Sequence, residues 1–347
     1  MRALITGASG FLGGHLAESV ARAGDEVRAL VRVNSDVEHL RALPGVELAY
    51  GDLGDPDSLR AAVTGMQVVF HSAARVEGYG SRAQFVETNV RGTFRLMQAA
   101  QAAGVSRFVF VSSPSALMDR DEGDRFGIDE DTPYPNRWLN LYSETKAQAE
   151  RLVLEADRPG FTTVALRPRG IWGPRDRSGW LPRLVARMAE GRLPDLSGGK
   201  PVLASLCHCD NAVAAARLAA DAPAEVVGGR PYFVADKETT DLWAFLSRLA
   251  EVFGARPPTR RIPAPARDAM AGVLDLLWRV SGLAARREPP LSRYSVALLT
   301  RSATYDTSAA ERDLGYVPLI DQETGLRRLA EWVEAFGGVH EFVRAVR

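Results

Sequence analysis

The 347-residue chain is expected to fold as an α/β protein built on a doubly wound parallel sheet. Three observations predict this. Short β-branched runs alternate with amphipathic helical patterns over roughly the first 170 residues. A cluster of glycines joins the first of these runs to the first helical pattern. No internal repeat of about 20–50 residues points to a solenoid instead.

Taken in order, strand patterns lie at Arg2 to Thr6, Glu26 to Arg32, Val46 to Tyr50, Val68 to His71, Phe108 to Ser112 and Thr163 to Arg167. Between them, Phe11 to Ala23, Ser58 to Thr64, Phe85 to Ala103 and Tyr142 to Ala156 carry apolar residues at helical spacing. Past Pro174 the rhythm changes. Helical patterns at Leu181 to Glu190 and Asp210 to Ala220 precede a strand at Pro231 to Ala235 and a helix at Asp241 to Phe253. The Pro- and Arg-rich stretch Arg256 to Pro265 reads as a linker or loop. Residues 1–175 are thus expected to form the sheet domain, with segments at about 202–235 returning to it. Residues 176–347 are expected to form mainly a smaller α/β substrate-binding domain.

Thr6-Gly7-Ala8-Ser9-Gly10-Phe11-Leu12-Gly13 sits at the first strand-to-helix junction. Gly7 permits the tight turn, Gly10 lets a pyrophosphate approach the backbone, and Gly13 lets the helix pack closely. The helix N-terminus then faces the phosphates, with Ser9, Phe11 and Leu12 beside it. This marks the first domain as a dinucleotide-binding Rossmann unit. At the end of the second strand, where an NAD site usually carries an acid for the ribose 2′-hydroxyl, the chain has Val31 followed by Arg32. A guanidinium there suits a 2′-phosphate, so NADP(H) is favoured over NAD(H), which remains possible. Arg32 could also be one more surface arginine. Asp52, in Gly51-Asp52-Leu53, is placed either to contact adenine or to cap the next helix.

Tyr142-Ser143-Glu144-Thr145-Lys146 puts a phenol and an ammonium one turn apart on one helix face. Eight tyrosines but only three lysines (Lys146, Lys200 and Lys237) make the pair uncommon by chance. A free phenol titrates too high for neutral acid–base work. Lowering it by ~3 units takes ~4 kcal/mol, which a nearby cation is expected to supply. Upstream, the fifth strand ends in Ser112-Ser113-Pro114-Ser115, where this architecture binds ligands. Ser113 is the expected partner of Tyr142 in holding a carbonyl oxygen, with Ser112 the alternative if the register is one off.

Together these motifs resemble the extended short-chain dehydrogenase/reductase superfamily over essentially the whole chain. The glycine loop, Gly51-Asp52-Leu53, His71-Ser72-Ala73-Ala74, Asn89 with Gly92-Thr93, Ser113, Tyr142 with Lys146, and Arg167-Pro168 with Gly173-Pro174 carry the resemblance. It implies Ser113, Tyr142 and Lys146 as catalytic residues, and Leu53, Ala73, Ala74, Pro168 and Ile171 along the cofactor. Asn89 is read as structural rather than catalytic. It also implies a homodimer through the helices over Phe85 to Ala103 and Tyr142 to Ala156.

Departures narrow the branch. Sugar-nucleotide dehydratases carry Thr-Asp-Glu where this chain has Ser113-Pro114-Ser115, so the acid and base for water elimination are missing. Epimerases typically show Arg-Tyr-Phe-Asn where this chain reads Arg167-Pro168-Arg169-Gly170. The stretches Pro289 to Tyr294, Ala309 to Pro318 and Arg167 to Pro174 are instead similar to the 3β-hydroxysteroid dehydrogenase-like branch, which includes bacterial 2-alkyl-3-oxoalkanoate reductases. That resemblance implies a lipophilic small-molecule substrate. An epimerase of sugar or hopanoid-associated type is the second reading, and a cofactor-sensing binding protein the third.

A lipophilic substrate also suits the segment 263–283. There Met270, Val273, Leu274, Leu277, Trp278 and Ser281 recur on one helical face, among an arginine excess that runs from Arg256 to Arg293. The stripe could admit an acyl chain, dock on a membrane or carrier, or pack on the domain's own core. Global charge argues against a nucleic-acid partner, since basic and acidic residues balance at 43 each. Met1 runs straight into a strand pattern with no apolar signal segment. Two cysteines make no disulfide framework, so a cytoplasmic protein is expected. No metal is expected at Cys207-His208-Cys209, which reads as a strand-to-helix turn capped by Asp210. The acidic stretch Asp119 to Asp131 reads as a solvated, mobile loop suited to close over substrate.

Overall fold

The computed structural model describes residues 1–76, 79–177, 179–280 and 292–345. Seven parallel strands form the main sheet: β1 (Arg2–Thr6), β2 (Glu26–Val31), β3 (Val46–Tyr50), β4 (Val68–His71), β5 (Arg107–Val111), β6 (Thr162–Pro168) and β7 (Arg230–Val234). Their order is β7-β6-β5-β4-β1-β2-β3. The doubly wound class predicted from sequence is therefore borne out. β4 and β6 are buried at every residue, which explains their near-continuous apolar runs. Register is regular, with Ile5 opposite both Ala29 and Phe70, and Val109 opposite Val164. Strand order reverses between β1 and β4, so the crevice beyond Thr6 and His71 is the switch point where such sheets bind ligands.

Each sheet face has its own core. On one, Leu16 and Val20 of the Phe11–Arg22 helix and Ala212, Ala216 and Ala219 of the Cys209–Asp221 helix pack on Ile5, Phe70 and Val109. On the other, Leu59, Leu96, Ala149 and Val153 pack on Leu4, Phe108 and Phe110. A third core gathers Trp172, Leu181, Val185, Phe245, Leu249, Leu329 and Phe342 from the later part of the chain. Burial of large aliphatic and aromatic side chains at ~2–3 kcal/mol each makes such clusters the main stabilising contribution.

Several local expectations are corrected. The Phe85 to Ala103 pattern is not one α-helix: Val86–Gly92 is a π-helical turn leading into Thr93–Ala102. The Asp119 to Asp131 stretch is not a free loop. Its Arg125–Ile128 segment is a strand paired with Ala303–Tyr305, in a small sheet with Leu203–Ala204 and Thr240–Asp241. Asp124 there accepts from the Ser302 amide and pairs with Lys200, and Arg301 donates to the Asp119 and Arg120 carbonyls. The helix beginning at Cys209 is capped by the His208 ring, which accepts from the Asp210 amide at 3.2 Å, and not by Asp210. Nor does Asp52 cap a helix. Asp55 caps Pro56–Val63, and Asp52 closes a local turn onto the Gly54 amide.

In the Ala264–Val280 helix, Met270, Val273 and Leu277 are exposed, and among the described side chains of the helix only Leu274 reaches the third core. The stripe does not bury as a unit. The side chain of Trp278, as well as Ser281 and Pro289 to Leu291, lie outside the described residues. Among the described residues no helix is long and apolar enough to cross a membrane.

Candidate active site

A cavity of about 900 Å³ opens at the switch point and runs towards the third core. Every candidate residue from the sequence lines it: Gly7, Ser9, Gly10, Phe11, Leu12, Gly13, Arg32, Asp52, Leu53, Ala73, Ala74, Ser112, Ser113, Tyr142, Lys146, Pro168 and Ile171.

At the glycine loop, two positions tolerate nothing larger. Gly7 has φ of +70°, and a Cβ there would stand 2.8 Å from the Ala73 nitrogen. A Cβ at Gly13 would run into the Gly7 carbonyl. The helix that follows is capped by no side chain and has no acid in its first turn. Its N-terminal amides and dipole are suited to an external anion. Gly13→Ala is expected to cost about 1–3 kcal/mol through overpacking and to weaken dinucleotide binding. Fluorescence titration with NADPH alongside thermal melts checks both effects, and unchanged affinity would contradict this role. Arg32 is exposed at the cavity edge and makes no ion pair among the described residues, unlike Arg28, which holds Glu47 at 3.0 Å.

Behind the loop runs a buried relay of hydrogen bonds. The Thr6 hydroxyl accepts from the Ala73 amide at 3.2 Å and donates to His71 Nδ1 at 2.7 Å. His71 Nε2 donates to Thr93 Oγ1 at 2.8 Å, and Thr93 donates to the Asn89 carbonyl. That direction requires a neutral ring, and burial together with the nearby Lys146 charge pushes its pKa down to about 3. Asn89, carried on the π-helical turn, holds both the amide and carbonyl of Arg75 and also donates to Thr145 Oγ1 at 3.1 Å. It therefore fastens the Ala73–Ala74 segment to the helix bearing Tyr142.

That helix, Leu141–Glu155, is capped by Asn140 accepting from the Ser143 amide at 2.8 Å. Tyr142, Lys146 and Glu150 follow one another at four-residue steps along one face. The Ser113 hydroxyl stands close enough to the Tyr142 phenol to favour its ionised form. Ser113 is set by β5 and a following turn, where its Oγ accepts from the Ser115 amide at 3.2 Å. It is Ser113, and not Ser112, whose hydroxyl bears on the phenol; Ser112 is buried. Lys146 donates to the Val111 carbonyl and lies 4.0 Å from the Phe110 ring centroid.

The electrostatics differ from expectation in one respect. Tyr142 is not lowered: burial raises its pKa, and the nearby Ser113 hydroxyl only partly opposes this. Lys146 is itself pushed down to about 7 by burial, with the Glu150 carboxylate opposing. Glu150 is fully buried and stays ionised because Arg167 clasps it at 2.7 and 3.0 Å and Tyr134 donates to it at 2.5 Å.

Sequence reasoning named neither Glu150 nor Tyr134. It also gave no site role to Arg169, Trp180, Tyr294 or Tyr305, which line the cavity. Only the step of four from Lys146 to Glu150 was visible in advance.

The sequence profile of the 3-beta hydroxysteroid dehydrogenase/isomerase family matches residues 4–264. A 4-hydroxy-2-methyl-3-oxo-4-farnesyl-3,4-dihydroquinoline-1-oxide ketoreductase of Stigmatella aurantiaca is 37% identical over 95% of this chain and 96% of its own length. A 2-alkyl-3-oxoalkanoate reductase of Shewanella oneidensis is 34% identical over 94% and 85%. A 3 beta-hydroxysteroid dehydrogenase/Delta 5-->4-isomerase of Mycobacterium tuberculosis is 35% identical over 99% and 94%. Among solved structures, gox2253 superposes with a TM-score of 0.79 at 28% identity, covering 97% of this chain and 98% of that one. MoeE5 in complex with UDP-glucose and NAD gives 0.71 at 27%, covering 96% and 99%. The chain belongs to the 3-beta hydroxysteroid dehydrogenase/isomerase family within the extended short-chain dehydrogenases/reductases, and is an NAD(P)-dependent oxidoreductase acting on CH–OH and C=O groups.

Proposed function

We propose that this protein interconverts a ketone and a secondary alcohol on a hydrophobic substrate, with NADP(H) as preferred cofactor. The observation that carries the reading is the gathering of Ser113, Tyr142 and Lys146 in the wall of a large cavity, with Tyr142 one helical turn from Lys146. The residues present fit a dinucleotide: an uncapped helix N-terminus, a Gly7 turn and Gly13 packing, and an unpaired Arg32 at the edge. Bound there, the reduced nicotinamide supplies the hydride.

In the reductive direction Ser113 and Tyr142 hold the carbonyl oxygen, and Tyr142 gives that oxygen its proton. A phenol whose pKa burial has raised is the protonated form this step needs at neutral pH. Lys146, when protonated, stabilises the charge left on the phenolate and is suited to bind ribose hydroxyls. The named substrates of the relatives, a farnesylated quinoline, 2-alkyl-3-oxoalkanoates and 3β-hydroxysteroids, are all lipophilic. The apolar walls Leu184, Leu206, Leu242 and Leu298 suit such a group here. The exposed Met270, Val273 and Leu277 are suited to meet a membrane or carrier that delivers it, and exposed Phe94 supports a homodimer through its helix.

The test is loss of NADPH absorbance with a panel of lipophilic ketones, 3-oxo acids and sugar nucleotides. Net oxidation by a lipophilic ketone is expected. Product from a sugar nucleotide at constant NADPH would replace this reading with an epimerase. Arg32→Asp should move preference from NADPH towards NADH by about 10-fold or more, the worth of one charge-assisted contact of about 1.5–3 kcal/mol. An unchanged ratio would remove Arg32 from the 2′-phosphate site.

A further inference from the structure

Two buried arginines flank Pro168 at the end of β6, and they differ in one respect. Arg167 is 2% exposed and forked onto Glu150. Arg169 is 8% exposed, yet among the described residues it makes no ion pair. One of its terminal nitrogens donates to the Ala303 carbonyl, and the guanidinium stands 5.8 Å from the Tyr305 ring centroid. Its other N–H groups have no partner among the described residues, and the residue lines the cavity.

A desolvated guanidinium without an anion is costly and is ordinarily paired. Beside it, Tyr305 lines the same cavity, stacks on Phe233 at 4.6 Å, and has a buried hydroxyl with no hydrogen-bond partner among the described residues. Two unspent donors thus adjoin one another. They lie on the side of the small sheet, away from the glycine loop, so they belong to the substrate half of the cavity and not to the phosphate cradle.

We propose that Arg169 and the Tyr305 hydroxyl form an oxyanion subsite, and that the ketone reduced at Ser113 and Tyr142 carries a carboxylate held there. This deepens the function proposed above and rests on it. A planar guanidinium matches the two oxygens of a carboxylate, and the surrounding Ala204, Leu206 and Leu299 leave that anion little competition from water.

The test follows oxidation of a long-chain 2-alkyl-3-hydroxy acid and of its methyl ester with NADP+. In the wild type kcat/KM for the acid should exceed that for the ester by about 100-fold, as for a buried charge pair losing one partner. Arg169→Gln should collapse the ratio towards one, and Arg169→Lys should retain part of it. Tyr305→Phe, which removes one hydroxyl, should reduce it by about 3- to 10-fold and keeps the idea testable if Arg169→Gln does not fold.

A second readout needs no turnover. A long-chain fatty acid should raise the melting temperature of the wild type more than the matching alcohol does, and this difference should vanish in Arg169→Gln. Equal treatment of acid and ester, or a preference that survives Arg169→Gln, overturns the subsite. So does an Arg169-dependent preference for a phosphate-bearing thioester over the free acid. If neither hydroxy substrate is oxidised, the oxidoreductase reading fails for this class, and the fatty-acid shift alone decides the subsite: its presence upholds it and its absence overturns it.

Discussion

Tyr142→Phe is expected to lower turnover by about 10²–10⁴-fold, the range for removing a positioned general acid. The substitution keeps the ring in the cavity wall and takes away only the hydroxyl that stands beside Ser113. Dinucleotide binding, expected at the Gly7–Gly13 loop and Arg32, should change little, so the loss belongs to kcat and not to cofactor affinity. The direction of reaction adds a second expectation. Because burial raises the Tyr142 pKa, reduction finds its proton donor in place at neutral pH, whereas alcohol oxidation needs the phenolate and should speed up as pH rises. Stopped-flow traces in both directions across pH check this. Full activity in the phenylalanine variant would overturn the assignment.

Glu150→Ala is the substitution expected to damage the fold most. It leaves Arg167 buried at 2% exposure without its carboxylate and frees the Tyr134 hydroxyl. Breaking one side of a buried pair costs about 3–5 kcal/mol, a large share of the margin of an ordinary domain. Denaturant midpoints measure it, and a loss below about 1 kcal/mol would mean the pair is dispensable. Glu150 is held below the usual carboxylate range, so its contribution is present above the unfolded-state value and is lost as pH falls through the folded one.

Glu150 also acts on Lys146. Its charge opposes the burial that brings the lysine to about 7. Any activity that requires the ammonium should decline as pH rises past about 7 in the wild type. In the milder Glu150→Gln variant that decline should shift to lower pH, since the supporting negative charge is gone.

Much of this arrangement was legible in the residues themselves. Strands buried on both faces are mainly apolar, so Val68 to Phe70 and Val164 to Leu166 stand out as short apolar runs. The glycine loop and the Tyr142–Lys146 step are local patterns with a local geometric meaning. What escaped depends on partners distant in sequence. The ion pair of Glu150 with Arg167 spans 17 positions and is made by the fold. The two-residue strands Leu203–Ala204 and Thr240–Asp241 are too short to show a period. The π-helical turn at Val86–Gly92 keeps a helical apolar spacing, so nothing local separates it from an α-helix. His208 displaced Asp210 as a cap because its ring, fixed between Trp172 and the helix start, reaches the Asp210 amide first. Arg169 entered the sequence reading only within Arg167-Pro168-Arg169-Gly170, and its burial without an ion pair among the described residues is a product of the fold.

The central claim is hydride transfer to a carbonyl carbon with Tyr142 supplying the proton. NADPH carrying deuterium at both C4 positions, followed by mass spectrometry of the product from a lipophilic ketone, tests it most directly. The predicted product is an alcohol one mass unit heavier at the carbinol carbon, formed by the wild type and not by Tyr142→Phe. Unlabelled product from the dideuterated cofactor would contradict it.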